Sequence, residues 1–276
     1  MTASMLHVRV AAKVPLAEGI CAFELQATDA PELPPFTAGA HLDVLMPGGL
    51  TRQYSLCNSP AERHRYLIAV LREPASRGGS VTMHERVQVG DTLTISAPKN
   101  HFPLVAPLVA PLVPPLVPPL VPPLVPPIAA ALVAPLAASG PRSLLLAGGI
   151  GITPVLAMAE VLGALGADFE LHYCTRSLAR TAFLDRIRAA PWGARLHLHL
   201  DAGPQAQRLD LQALLGTPQS ATHLYVCGPR GFMDAVLGGA RAAGWPELQL
   251  HWEFFAGESA PAAGDGAFEV QLAKSG

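Results

Sequence analysis

Ser143-Leu144-Leu145-Leu146-Ala147-Gly148-Gly149-Ile150-Gly151-Ile152-Thr153-Pro154 is the stretch on which the fold turns. Ser143–Ala147 is a continuous apolar run, which suits a strand buried on both faces of a parallel sheet. The glycines then turn the chain, and PVLAMAEVLGAL reads as a helix with Thr153 at its N-cap and Pro154 in the first helical position. Strand, glycine turn and helix are the setting of a dinucleotide fingerprint, whose glycines let a pyrophosphate approach the backbone. The spacing from Gly149 is Gly-x-Gly-x-x-Pro, and a plain structural turn would use the same residue types.

Towards the C-terminus the alternation continues through FELHYCT, TAFLDRIRA, RLHLHLD, DLQALL, HLYVCG, FMDAVLGGARAA and LQLHWEFF. Apolar strands separated by helices predict βαβ units, hence a Rossmann-like parallel-sheet α/β domain over residues 140–256. Cys227-Gly228-Pro229 closes HLYVCG, at the strand end where an open α/β sheet binds ligands. A free cysteine there is also an ordinary small hydrophobe. Met233 opens the next helix, either lining the pocket or filling the core.

Towards the N-terminus, residues 104–139 form a tandem LVAP/LVPP repeat, and 12 of the 28 prolines fall between Pro103 and Pro135. No charge interrupts it, so a membrane span has to be considered. Proline excludes a spanning helix, because it removes backbone donors and leaves carbonyls unpaired in hydrocarbon. A four-residue period also fails to match the three-residue turn of polyproline II. The repeat is read as a low-complexity spacer.

Ahead of it, residues 1–103 contain six β-rich stretches: HVRVAAKV, CAFELQA, HLDVLM, RQYSLCN, RYLIAVLRE and DTLTISA. A helix near Ser80–Val87 interrupts them. Short strands with Pro and Gly punctuation predict an antiparallel β-barrel. In it, Arg52, Tyr54 and Ser55 occupy alternating or adjacent positions of one strand. An arginine suits a phosphate dianion, an aromatic ring suits a flat heterocycle, and a hydroxyl can reach its edge. Arg77-Gly78-Gly79-Ser80 offers bare amides and a hydroxyl at a helix start, a second anion-binding pattern.

The bulk properties narrow the field. The 276-residue chain has length for two domains and carries a net charge of −2 with no basic run, so nucleic acid finds no electrostatic footprint. Cys21, Cys57, Cys174 and Cys227 show neither disulfide nor zinc spacing, which fits a reducing cytoplasm. The N-terminus has no signal-peptide core. The ten histidines show no metal-site spacing, and no Ser–His–Asp constellation is readable.

Arg-Gln-Tyr-Ser-Leu (52–56), Gly-Gly-Ile-Gly-Ile-Thr-Pro (148–154) and Cys-Gly-Pro (227–229), in this order, resemble the ferredoxin–NADP reductase superfamily. More narrowly they resemble its oxygenase-reductase branch, typified by phthalate dioxygenase reductase and the reductase component of vanillate O-demethylase. That resemblance implies a flavoprotein in which Ser55 and Cys227 flank the reacting centre. It implies that Arg52, Tyr54, Ser55, Gly78, Gly79, Ser80, Thr153 and Phe255 hold the flavin, with backbone groups of Ala69, Val70 and Leu71. Gly148, Gly149, Gly151, Thr153, Thr175, Arg176, Cys227, Gly228, Pro229 and Met233 would hold NAD(P)H.

The branch implies FMN rather than FAD. Arg176 would suit the 2′-phosphate of NADPH, whereas Asp201 and the TRS segment (175–177) favour NADH. The implied acceptor is a ferredoxin or a Rieske-type oxygenase component acting on aromatic acids. Residues 257–276 resemble the opening of a ferredoxin-like domain, yet the chain has no C-x4-C-x2-C set, so no [2Fe–2S] cluster is expected on it. A stand-alone flavin reductase and a non-catalytic nucleotide-binding remnant are the alternatives.

Overall fold

The computed structural model describes residues 5–73, 78–105, 141–204 and 207–255. Arg77, the repeat from residue 106 and the stretch 257–276 lie outside the described residues.

The N-terminal half is a six-stranded sheet of β1 (Met5–Ala17), β2 (Ile20–Ala27), β3 (His41–Leu45), β4 (Thr51–Ser55), β5 (Tyr66–Leu71) and β6 (Thr92–Ser96). Its spatial order is β4-β3-β6-β1-β2-β5, and each pairing is antiparallel. The end strands β4 and β5 are drawn together just past β4 by an antiparallel bridge, Leu56–Ile68, which curls the sheet into a barrel. Alternation supplies the core: Val8, Val10, Phe23, Leu25, Leu42, Val44, Ile68 and Ile95 are all fully buried. Helix α1 (Gly79–Glu85) plugs the barrel with the buried Met83, beginning one residue before the expected Ser80.

The second half is a five-stranded parallel sheet: β7 (Arg142–Gly148), β8 (Phe169–Thr175), β9 (Leu196–Leu200), β10 (Thr222–Cys227) and β11 (Leu250–Glu253). Their order is β11-β10-β7-β8-β9. Helices α2 (Ile152–Ala164) and α3 (Leu184–Ala189) cover one face; α4 (Leu211–Leu215) and α5 (Arg230–Ala242) cover the other. The central strand β7 is therefore buried on both faces, as its unbroken apolar run requires. The chain builds outward from β7 to β9, then returns to β7's other side with β10. That reversal creates a switch-point crevice at the carboxyl ends of β7 and β10.

One expectation about α2 fails. Its N-cap is Gly151, not Thr153, because the turn Gly149–Gly151 is already a tight helix that runs straight on. The Thr153 hydroxyl instead donates back to the Ile150 carbonyl at 3.1 Å, and Pro154 lies in the first turn, where no intrahelical donor is needed.

The two sheets share a core. Ile20, Cys57, Ala69 and Phe102 from the barrel pack with Val155, Met158 and Cys227 from the parallel half. At the last residue before the repeat leaves the described region, the Val105 amide donates to the Tyr225 hydroxyl at 2.9 Å. Among the described residues no helix is long and apolar enough to cross a membrane.

Candidate functional site

On the barrel side, Arg52 and Tyr54 project from one face of β4, opposite Val44 and Leu42 of β3. Ser55 pairs with His41 and faces the other way, so a ligand touching all three must lie along the open edge between β4 and β5. The Arg52 side chain lies over Gly79: a Cβ on that glycine would stand 2.7 Å from Arg52 Cγ. The arginine's Nη1 donates to the Thr51 carbonyl, and its side chain is only half-buried. Tyr54 is half-buried, and burial pushes its phenol up to about 12 against the opposing pull of Arg52, so it remains protonated. Ser80 Oγ accepts the Glu73 amide at 3.1 Å, leaving its own proton free to donate. Ala69 and Val70 are buried on β5 and Leu71 is partly so. Gly78 has φ of +92°, a conformation that glycine accommodates.

On the nucleotide side, Gly148 and Gly151 pack against the loop Cys227-Gly228-Pro229, while Gly149, at φ of +53°, faces open space. A Cβ on Gly151 would lie 2.2 Å from the Cys227 carbonyl oxygen, so nothing larger than glycine fits without moving a backbone. Cys227 is fully buried, and burial followed by the charge of Glu253 raises its thiol well above the usual value; it is a neutral thiol at neutral pH. Thr153 is buried at the same crevice.

Three expected positions look inward or outward instead. Met233 is fully buried among Leu144, Val226 and Val236, under α5, as a core side chain. The Thr175 hydroxyl is engaged with Thr181 Oγ1 at 2.8 Å. Arg176 is exposed, and its carbonyl accepts the Ala202 amide while that of Thr175 accepts the Asp201 amide.

The two sides are joined by a residue that sequence reading missed. Ser55 Oγ donates to Glu253 Oε2 at 3.3 Å, a link between residues 198 apart in the chain. The other carboxylate oxygen stands 3.4 Å from Nδ1 of the buried His41. The contact lacks the alignment of a hydrogen bond, and neither ring nitrogen of His41 has a well-aligned partner. The His41 ring stacks on the exposed His101 at 5.4 Å. This is not a hydrolytic triad, since serine and histidine each address the carboxylate and not one another. The available signal was a lone acid inside the apolar run Trp252-Glu253-Phe254-Phe255. Of the two phenylalanines, Phe254 is 49% exposed, whereas Phe255 is partly buried against the core the two sheets share.

The histidines showed no metal-site spacing along the sequence, but the fold brings two of them together with an acid. Glu170, His172 and His197 bring ligand atoms within 4.8 Å of one another. The His-x-His alternation of β9 put two imidazoles on one face, but only the register of β8 against β9 sets them beside His172.

No protein-family model matches the chain. It is 50% identical to vanillate O-demethylase oxidoreductase of Pseudomonas putida over 260 residues, covering 94% of this chain and 71% of that protein. It is 35% identical to phthalate dioxygenase reductase of Burkholderia cepacia over 272 residues, covering 98% and 74%. A solved structure described as phthalate dioxygenase reductase, "a modular structure for electron transfer from pyridine nucleotides to [2Fe-2S]", superposes with a TM-score of 0.75 at 34% identity. It covers 91% of this chain and 68% of its own.

Proposed function

The chain belongs to the oxygenase-reductase branch of the ferredoxin reductase-like superfamily, and on that footing we propose that FMN occupies the barrel edge and NADH the switch-point crevice. It is an NAD(P)H-dependent flavoprotein oxidoreductase, an electron-transfer reductase component. The observation that carries the assignment of sites is the Ser55–Glu253 hydrogen bond, which brings the flavin strand to the carboxyl end of the nucleotide sheet.

The residues present fit both ligands. Arg52 over Gly79, with Ser80 beside it, suits a terminal phosphate and so FMN rather than FAD. The half-buried Tyr54 offers a ring face, and the glycine turn offers backbone amides that no Cβ covers. Arg176 and Asp201 stand at the adenosine end, and the carboxylate disfavours a 2′-phosphate, hence NADH.

A flavin held by Arg52, Tyr54 and Ser55 would supply hydride acceptance from reduced nicotinamide and one-electron release. The chain's own part is positional. Ser55 holds its hydroxyl at the seam, Glu253 fixes that hydroxyl's direction, and Cys227 supplies a neutral thiol that fills space beside the nicotinamide. Phe255 covers the apolar wall and excludes water. Thr153 is held by its bond to Ile150 and tightens the turn.

The electrons pass to an iron–sulfur centre in a ferredoxin or Rieske-type oxygenase component. The four cysteines lie on β2, after β4, on β8 and at the end of β10, and do not make that centre's ligand set. Their free state fits the reducing cytoplasm. The test is the absorption spectrum of purified protein before and after anaerobic NADH, with chromatography of the flavin released by heat. A yellow protein bleached by NADH that releases FMN is expected. FAD as the released species would overturn the phosphate assignment, and a colourless protein that takes up no flavin would overturn the whole reading.

A further inference from the structure

The strand pair β8–β9 gathers imidazoles on the face away from α2. Alternate residues Glu170 and His172 of β8 share that face, and His197 and His199 of β9 stand across from His172 and Cys174. The rings of His172 and His197 stack at 4.7 Å, and those of His172 and His199 at 5.3 Å. Glu170 is anchored from the other side, where Arg142 Nη2 donates to its Oε1 and leaves Oε2 facing the histidines.

His199 Nε2 lies 3.1 Å from His172 Nδ1, and His172 Nε2 lies 3.2 Å from Glu170 Oε2. The His172 ring thus has one nitrogen backed by His199 and the other turned to the carboxylate, with the rim imidazole of His197 stacked beside it. A cation set among these groups would draw on polar atoms that a partly buried patch leaves poorly hydrated.

We propose that Glu170, His172 and His197 form a site for an imidazole-preferring divalent cation such as Zn2+, tying edge strand β9 to β8. The donor set of two imidazoles and one carboxylate suits that class. His199 plays the orienting part that a hydrogen-bond partner takes behind a metal-bound histidine. Bonds of about 2.0–2.1 Å place ligand atoms about 3.3 Å apart, which torsion of His197, exposed at the rim, can supply. Arg142 weakens the site by its charge but occupies only one carboxylate oxygen. The proposal is independent of the flavin and nucleotide assignments, since none of these residues belongs to them.

The experiment is calorimetric titration of the tag-free, chelator-dialysed full chain with Zn2+, alongside X-ray absorption of the loaded protein. One ion per chain is expected, with a nitrogen and oxygen shell. Affinity should fall at least tenfold in H197A and in E170Q and stay unchanged in H251A, which disrupts the separate His223–His251 pair. His197 is exposed, so H197A folds, and Zn2+ should raise the melting midpoint of the parent and not of H197A. Absence of binding, affinity that H197A leaves intact, loss in H251A instead, or sulfur in the shell would each overturn it.

Discussion

In the flavin site proposed on the antiparallel sheet, side chains would carry the recognition: Arg52 reaches from β4 over Gly79, and Ser55 reaches across to Glu253. In the proposed nucleotide site on the parallel sheet the backbone would do so, through Gly148 and Gly151 set against the Cys227-Gly228-Pro229 loop at a distance that admits no Cβ. The contrast follows from what each sheet buries. An antiparallel barrel alternates inner and outer residues, so a strand edge can present polar groups while still feeding a core. A parallel strand buried on both faces has no side chain to spare, and its chemistry moves to the turn at its end.

The sharpest way to break this contrast is Gly151→Val. The added carbons collide with the Cys227 carbonyl, 2.2 Å from the first of them, and part the two loops. Flavin bleaching by NADH should fall by more than about 100-fold, in keeping with loss of reactant positioning, while dithionite still bleaches the flavin. Stopped-flow absorbance checks it, and a variant that NADH reduces at the parent rate would show that the turn is not the nucleotide's seat.

The sheets should also differ in acid. Burial lowers His172 to about 4 and moves His199, His223 and His251 downward too, all on the parallel side. Below pH 6.5 the unfolded chain takes up protons that the folded His172 refuses, so stability falls as pH drops to about 4 and levels off below. His172 alone contributes up to about 3 kcal/mol to that loss. On the barrel, hydrogen bonds from Lys99 and Gln53 outweigh burial and depress Asp43, so its stabilisation is lost only below the ordinary carboxylate value of 3.8. Urea midpoints measured in chelator between pH 7 and 4 should decline less in His172→Gln than in the parent. An identical decline would remove His172 as the cause.

How far these features were legible in the sequence depends on the distance over which each is encoded. β7 and its glycine turn were readable because their apolar run and missing side chains are local necessities. That Arg52 and Tyr54 share one face of β4 was readable because two-residue alternation is local as well. The seam was not, since Glu253 meets Ser55 only after two sheets have folded and docked. The helix start at Gly151 was missed, and the choice between pocket and core for Met233 stayed open, for a related reason: both depend on packing against neighbours that the local pattern does not contain.

A smaller effect is expected of Arg52→Ala, which removes charge-assisted hydrogen bonds to a phosphate and should weaken FMN binding roughly 10- to 100-fold. Fluorescence titration of the flavin-free protein reads it, and an unaltered affinity would move the phosphate away from β4. The smallest is Glu253→Gln. The amide keeps the shape and can still accept from Ser55, so flavin affinity should hold while reduction by NADH slows about tenfold, one charge-assisted contact having become neutral. Equal losses in both quantities would make Glu253 a structural strut.

Glu253 is also the final residue of β11, and the polypeptide continues past Phe255 directly from it. Whatever the chain connects to downstream is thus fastened two residues from the carboxylate that touches Ser55 at 3.3 Å and His41 at 3.4 Å. One step of extended backbone is about 3.3 Å. Displacing the end of β11 by one such step would part both contacts at once, so the seam depends on where that strand ends.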